Sequence, residues 1–182
     1  MKILFTFLIL ITLSSASFSQ NRYWIGMRLD SIQKSEQKKD SNFIHIRPHG
    51  QYLNWSLDSV NLYGLTGNWS DRFDYGKLDW MHWDMYLDTL NEKNFNRCLA
   101  ATQKIIQEYT GKYGKPDTLI KGKTKYIDPY KKRHWGYNVL EARWNNYKGA
   151  KIKVQFTFMG GKGEYHFLVK INYFAKDYPY FD

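Results

Sequence analysis

His45 and His49 stand four residues apart, the spacing at which two imidazoles share one face of a helix and can hold a metal. Pro48 lies between them, and residues 43–46 read as a weak strand halted by that proline. The two rings therefore share no helical face, no third ligand stands nearby, and no metal site is predicted. His82 and Asp84 are two apart on a predicted strand, hence on one face, where a carboxylate can orient an imidazole for acid–base work. No motif supplies a nucleophile beside them, and the chain contains no Gly-x-Ser-x-Gly elbow. Asp84, Glu141 and Glu164 offer carboxylate pairs of the kind that cleave glycosides, but that chemistry depends on their separation in space. Gly160, Gly161 and Gly163 follow a strand as a phosphate loop would. The next segment is another strand, whereas a phosphate loop opens a helix, so these glycines read as a hairpin. No catalytic residue and no cofactor is assigned.

Binding has better candidates. Residues 117–136 carry Lys121, Lys123, Lys125, Lys131, Lys132 and Arg133 against Asp117 and Asp128, interleaved with Tyr126, Tyr130 and Trp135. Cations mixed with aromatic rings can grip an acidic polymer, although a solvated connection has the same composition. A second surface follows from strand alternation over residues 78–87. Met81, Trp83, Met85 and Leu87 form one row and Trp80, His82, Asp84 and Tyr86 the other. If the first row faces a helix, Trp80, His82 and Tyr86 face outward with Lys151, Lys153, His166 and Lys170. Such a surface suits stacking on a sugar or on a flat protein partner, unless the N-terminal segment or the tail from Tyr178 covers it.

These residues need elements to hold them. Phe95, Cys98, Leu99, Thr102, Ile105, Ile106 and Tyr109 recur with the period of one buried helical face. Asn91 is an N-cap with Glu92 in the first turn, and the run from Lys112 to Pro116 ends the helix, which is predicted over residues 91–113. Cys98, the only cysteine, falls on the apolar stripe and reads as a small hydrophobe rather than a nucleophile. Apolar and polar residues alternate over residues 151–158 and 165–173, and residues 137–144 precede them, giving a three-stranded antiparallel meander. Residues 145–149 and 159–163 are the turns. Before the helix, residues 78–87 and 60–65 are strands separated by a turn-rich stretch at 67–76, and residues 26–32 resemble the start of a short helix. Strands, then one long helix, then strands define an α+β fold. The prediction is an antiparallel sheet of about five or six strands with one helix on a face, in a cystatin-like or similar arrangement.

This punctuation carries a resemblance. A strand starting Gly76-Lys77-Leu78, an amphipathic helix closing on Tyr113-Gly114-Lys115-Pro116 and a following meander are similar to small exported bacterial α+β proteins, over residues 60–174. The resemblance implies export and a helix laid on a sheet, and it implies no activity.

The start of the chain reads as an address. Lys2 precedes an apolar run over residues 3–13, followed by small residues through Ser19. An apolar core of about eleven residues fits a signal peptide, whereas a spanning helix needs about twenty. Cleavage before Gln20 would leave residues 20–182 as one globular domain, and no later run is long enough to span a bilayer. The net charge of +10 falls to +9 without Lys2. Outside the cytoplasm that charge points to anionic envelope polymers, glycans or proteins rather than to nucleic acid. The expectation is thus an exported, periplasmic or secreted binding domain, with a hydrolase of cell-wall or dietary polymers as the alternative.

Overall fold

The computed structural model describes residues 24–28, 31, 47–49, 52–74, 77–128, 136–161 and 164–178, with backbone alone for 47–49, 52–59 and 161. The segment 1–19 expected to be a signal peptide, the strand expected at 43–46 with His45, and the basic triplet Lys131, Lys132 and Arg133 lie outside them.

Eight strands and one helix of regular length make up the described chain. They are β1 (Arg47–His49), β2 (Tyr52–Leu62), β3 (Leu65–Asp74), β4 (Lys77–Leu87), α1 (Glu92–Tyr113), β5 (Thr118–Lys121), β6 (Gly136–Tyr147), β7 (Ala150–Gly161) and β8 (Glu164–Ala175). All eight strands join one antiparallel sheet in the order β1-β2-β3-β4-β8-β7-β6-β5. The chain lays down four strands as a meander, crosses through α1 to the far edge, and meanders back until β8 pairs with β4.

The α+β class and the antiparallel sheet agree with the sequence reading, but the strand count exceeds five or six. Seven strands are longer than three residues, and β1 is a three-residue edge that accommodates Pro48 because an edge strand can spare an N–H. The described part of the stretch 67–76 is no turn, because β3 occupies it through Asp74. The turn sits earlier, where Tyr63 (φ 54°) and Gly64 (φ 80°) both take positive φ in a two-residue hairpin. Gly67 belongs inside β3 for another reason. A Cβ there would lie 2.8 Å from the Trp83 ring and 2.3 Å from the Asp84 carbonyl, so glycine is what lets Trp83 lie against β3. At the other hairpins β6 runs to Tyr147 before the Lys148-Gly149 turn, and β7 runs to Gly161, so both loops are tighter than expected. Residues 26–28 form a turn and a bridge, while Ser31 is helical, so the expected helix does not start at Gly26. Gly26 N–H donates to Leu78 O at 2.7 Å, Leu78 N–H donates to Met27 O at 2.8 Å, and Arg28 bridges Lys77.

The helix is capped as its sequence dictates. The Asn91 side chain accepts from Asn94 N–H at 2.8 Å, Lys112 sits in the last turn, and Gly114 (φ 85°) donates its N–H to Thr110 O. Phe95, Cys98, Ala101, Thr102, Ile105, Tyr109 and Tyr113 are its buried side chains, packed on β6, β7 and β8. Thr102 satisfies its buried hydroxyl by donating to Cys98 O at 2.8 Å. Burying a side chain the size of Ile105 or Phe95 stabilises the fold by roughly 1.5–3 kcal/mol. The β2–β3 hairpin tip also reaches the helix, since Tyr63 Oη donates to Glu108 and Arg97 donates to Gly64 O. The sheet therefore curls round α1, and Trp144 Nε1 fixes the helix end by donating to Gly114 O at 2.8 Å.

Candidate functional site

A curled sheet with a helix on its inner face leaves its outer face to be defined by its own side chains. Pairing of β4 with β8, and of β8 with β7, builds rows across that outer face. Trp80, Phe174 and Lys151 form one row; His82, Asn172 and Lys153 the next; Asp84, Lys170 and Gln155 the third. On the far side of β4, Arg72 is the partner of Trp80 and Ser70 of His82. A β-bulge at this point makes the alternation possible. Arg72 pairs with Trp80 but Phe73 with Leu78, so Asp79 is an extra residue, and Leu78 and Met81 can both enter the core.

Trp80 is the centre of an aromatic stack. Its ring lies on the His82 imidazole with centroids 4.2 Å apart and planes at 16°, and it is parallel to Phe174 at 6.1 Å. Tyr178, just beyond β8, adds a third ring 6.4 Å from Trp80 and 4.8 Å from Phe174. Arg72 stands over both outer rings, 5.5 Å from the Trp80 centroid and 4.8 Å from that of Tyr178, in cation–π geometry. Its guanidinium is held by Asp79, with Nε donating to Oδ1 at 3.2 Å. Trp80 Nε1 donates to Asn172 Oδ1 at 3.3 Å, which fixes the indole in the plane of the surface.

This arrangement decides what His82 can do. Burial under Trp80, aided by the Lys170 ammonium, lowers the pKa of its imidazole to about 4. Its Nδ1 has no hydrogen-bond partner, and Nε2 lies 3.8 Å from Asp84 Oδ2, too long for a hydrogen bond. At neutral pH His82 is a neutral ring that supports Trp80. Burial also raises the Asp84 pKa, with Lys170 opposing, and burial beside that carboxylate raises the pKa of Tyr86. Tyr86 is half exposed and meets His166 edge-on at 5.2 Å.

Of the residues expected to bind, Trp80 and His82 are thus brought into contact. Tyr86 lies further along β4 at an exposed margin of the same face, with Asp84 between it and His82. Lys131, Lys132 and Arg133 fall outside the described residues. Tyr178 partly covers the stack, while Trp24 packs away from it, on Tyr173 and Tyr147, and donates to Lys148 O. Sequence reasoning missed Phe174, Asn172 and Arg72. The first two continue the Lys170 row of β8 at period two and were legible in that alternation. Arg72 was hidden by the turn reading of residues 67–76.

The other chemical candidates resolve simply. Glu141 is buried and engaged, accepting from Arg143 Nε and from Asn138 Nδ2 at 3.2 Å. It stands three strands from Asp84 in the sheet order, roughly 14 Å at ~4.8 Å per strand. That is wider than the roughly 5–9.5 Å of a glycosidase pair. Cys98 is 0% exposed, and burial pushes its thiol pKa up to about 12, so it is a core residue. His49 lies in extended β1, not on a helix. Among the described residues no group of three His, Cys, Asp or Glu could hold a metal ion, and no helix is long and apolar enough to cross a membrane.

No protein-family model, curated protein or solved structure matches the chain.

Proposed function

We propose that the chain is an exported, periplasmic or secreted binding protein that holds an envelope component, an acidic glycan polymer first among them, on the outer face of its sheet. One observation carries this reading: the Trp80 stack, with Arg72 over its edge, sits beside the Lys151, Lys153 and Lys170 positions of the same face. Aromatic faces stack on the apolar faces of sugar rings, and neighbouring ammonium groups attract their acids. The surface is broad and rigid, because each ring is fixed by a strand or by a hydrogen bond. A neutral His82 with no nucleophile assigned beside it favours binding over hydrolysis. We read the curl of the sheet round α1 as cystatin-like in kind, as part of the same proposal.

Calorimetric titration of the mature domain with a soluble acidic polysaccharide tests it. Binding should weaken as salt rises, because exposed charges are screened within about 8 Å at physiological ionic strength. Trp80→Ala should weaken binding at least tenfold at constant salt. No binding at low salt, or equal binding by the Trp80 variant, would remove the sheet face as the site.

A further inference from the structure

One tripeptide recurs in this chain beyond what composition explains. Asp30-Ser31-Ile32, Asp58-Ser59-Val60, Asp88-Thr89-Leu90 and Asp117-Thr118-Leu119 are all aspartate, hydroxyl residue, aliphatic residue. Serine and threonine make up 19 of the 182 residues, so about one of the twelve aspartates should precede one of them. Five do, and four of these five are followed by Ile, Val or Leu.

The structure places three of the four recurrences where regular structure is interrupted or beginning. Asp88 and Thr89 are exposed in the connection between β4 and α1, outside any element. Asp58 and Ser59 fall in the register shift of β2 between Leu57 and Val60, where the ladder to β3 slips. Asp117 is exposed and Thr118 opens the edge strand β5, followed by the half-exposed Leu119. Ser31 is exposed. The hydroxyl residues in the unbroken interiors of elements, Ser56, Thr66, Ser70, Thr102, Thr110 and Thr157, all lack a preceding aspartate.

We infer that this tripeptide is an acceptor signature for O-linked glycosylation, with Thr89 as its principal acceptor; the inference rests on the proposed export. In extended backbone, residues i and i+2 point to one side and residue i+1 to the other. An enzyme can then hold the carboxylate with a cation and the aliphatic side chain in an apolar pocket, while the hydroxyl between them is presented alone. The hydroxyl oxygen attacks the anomeric carbon of a glycosyl phosphate donor. A C–O glycosidic bond forms as the bond from that carbon to the phosphate oxygen breaks, the phosphate carrier leaves with the electron pair, and the hydroxyl proton passes to a base of the transferase. Accessible irregular segments are where a modifying enzyme reaches backbone at least cost. The Asn-Trp-Ser triplets at 54–56 and 68–70, which match the N-linked pattern, lie instead within the paired lengths of β2 and β3.

The test is intact-mass and fragment-ion mass spectrometry of the full chain isolated from the envelope or medium of the bacterium that makes it. The expected result is a chain beginning at Gln20 that carries one or more glycan mass increments, with Thr89 occupied. Asp88→Ala and Thr89→Val should each abolish the Thr89 increment and leave the melting temperature unchanged. A chain beginning at Gln20 with no added mass would overturn the inference while leaving export intact. Glycan confined to hydroxyls without a preceding aspartate, such as Thr124, or retained on Thr89 in Asp88→Ala, would overturn it as well. A recovered chain that keeps residues 1–19 would overturn the export on which it rests, and the N-terminus tells that failure from the others.

Discussion

Trp83 and Trp80 stand three residues apart on one strand and illustrate two uses of the same side chain. Trp83 is 0% exposed on the inner face, wedged against Gly67, with Nε1 donating to Val60 O at 3.1 Å. Trp80 lies on the outer face, its ring spread over His82 and its nitrogen tied to Asn172. Unbroken alternation from Trp80 to Trp83 puts them on opposite faces, while the bulge at Asp79 lets Leu78 join Met81 and Trp83 inside. The inner tryptophan is enclosed by the fold. The outer one is half-buried, oriented by its neighbours, with Arg72 and Tyr178 against its ring. The core and the proposed recognition surface thereby occupy opposite sides of one strand.

Truncating each tryptophan should break the comparison most visibly. Trp83→Ala should cost about 3–5 kcal/mol, because it opens a large cavity and leaves the Val60 carbonyl without its donor. Trp80→Ala should cost about 1 kcal/mol or less in folding, since its ring is only partly buried. Urea unfolding of the two variants checks this, and equal losses would mean that the outer stack is part of the core.

The next effect belongs to pH. His82 has a pKa lowered to about 4 in the folded chain, against an ordinary value of about 6.5. Between those values the unfolded chain binds the proton and the folded chain does not, so stability falls as pH drops from about 6.5 to 4. The full difference is at most about 3 kcal/mol. His82→Gln should flatten that part of the pH–stability curve. An unchanged curve would show that Trp80 does not exclude water from the imidazole.

A smaller loss follows at Gly67. Gly67→Ala sets a methyl against the Asp84 carbonyl and the Trp83 ring, and overpacking of this kind costs about 1–3 kcal/mol. The same residue explains why part of the fold was illegible in the sequence. Glycine and aspartate at residues 67–76 have the composition of a turn, but here glycine records the close approach of a neighbouring strand's side chain. Helix α1 was legible almost to the residue, because cap, stripe and stop agree within one segment. The β6–β7–β8 meander was legible from alternation alone. Short β5 carries no periodicity, and the pairing of β4 with β8 joins residues some ninety apart, which no local pattern encodes. The candidate site was half legible for the same reason. Trp80 and His82 share a strand, whereas Phe174 and Arg72 reach them only through pairing.

The smallest effect on folding, and the sharpest on the comparison, is expected from the basic triplet. Replacing Lys131, Lys132 and Arg133 by serine removes three charges from the connection between β5 and β6. If these charges are solvated they contribute little to stability, and the melting temperature should stay within about a degree or two. Binding to an acidic polysaccharide separates the two surfaces. If the sheet face is the site, the triple variant loses part of its salt dependence and keeps its affinity at high salt, where stacking on Trp80 persists and charge steering is screened. If the connection is the site, the triple variant loses binding at every salt concentration while Trp80→Ala retains it. The salt series, run on both variants, therefore assigns recognition to the rigid face or to the charged connection.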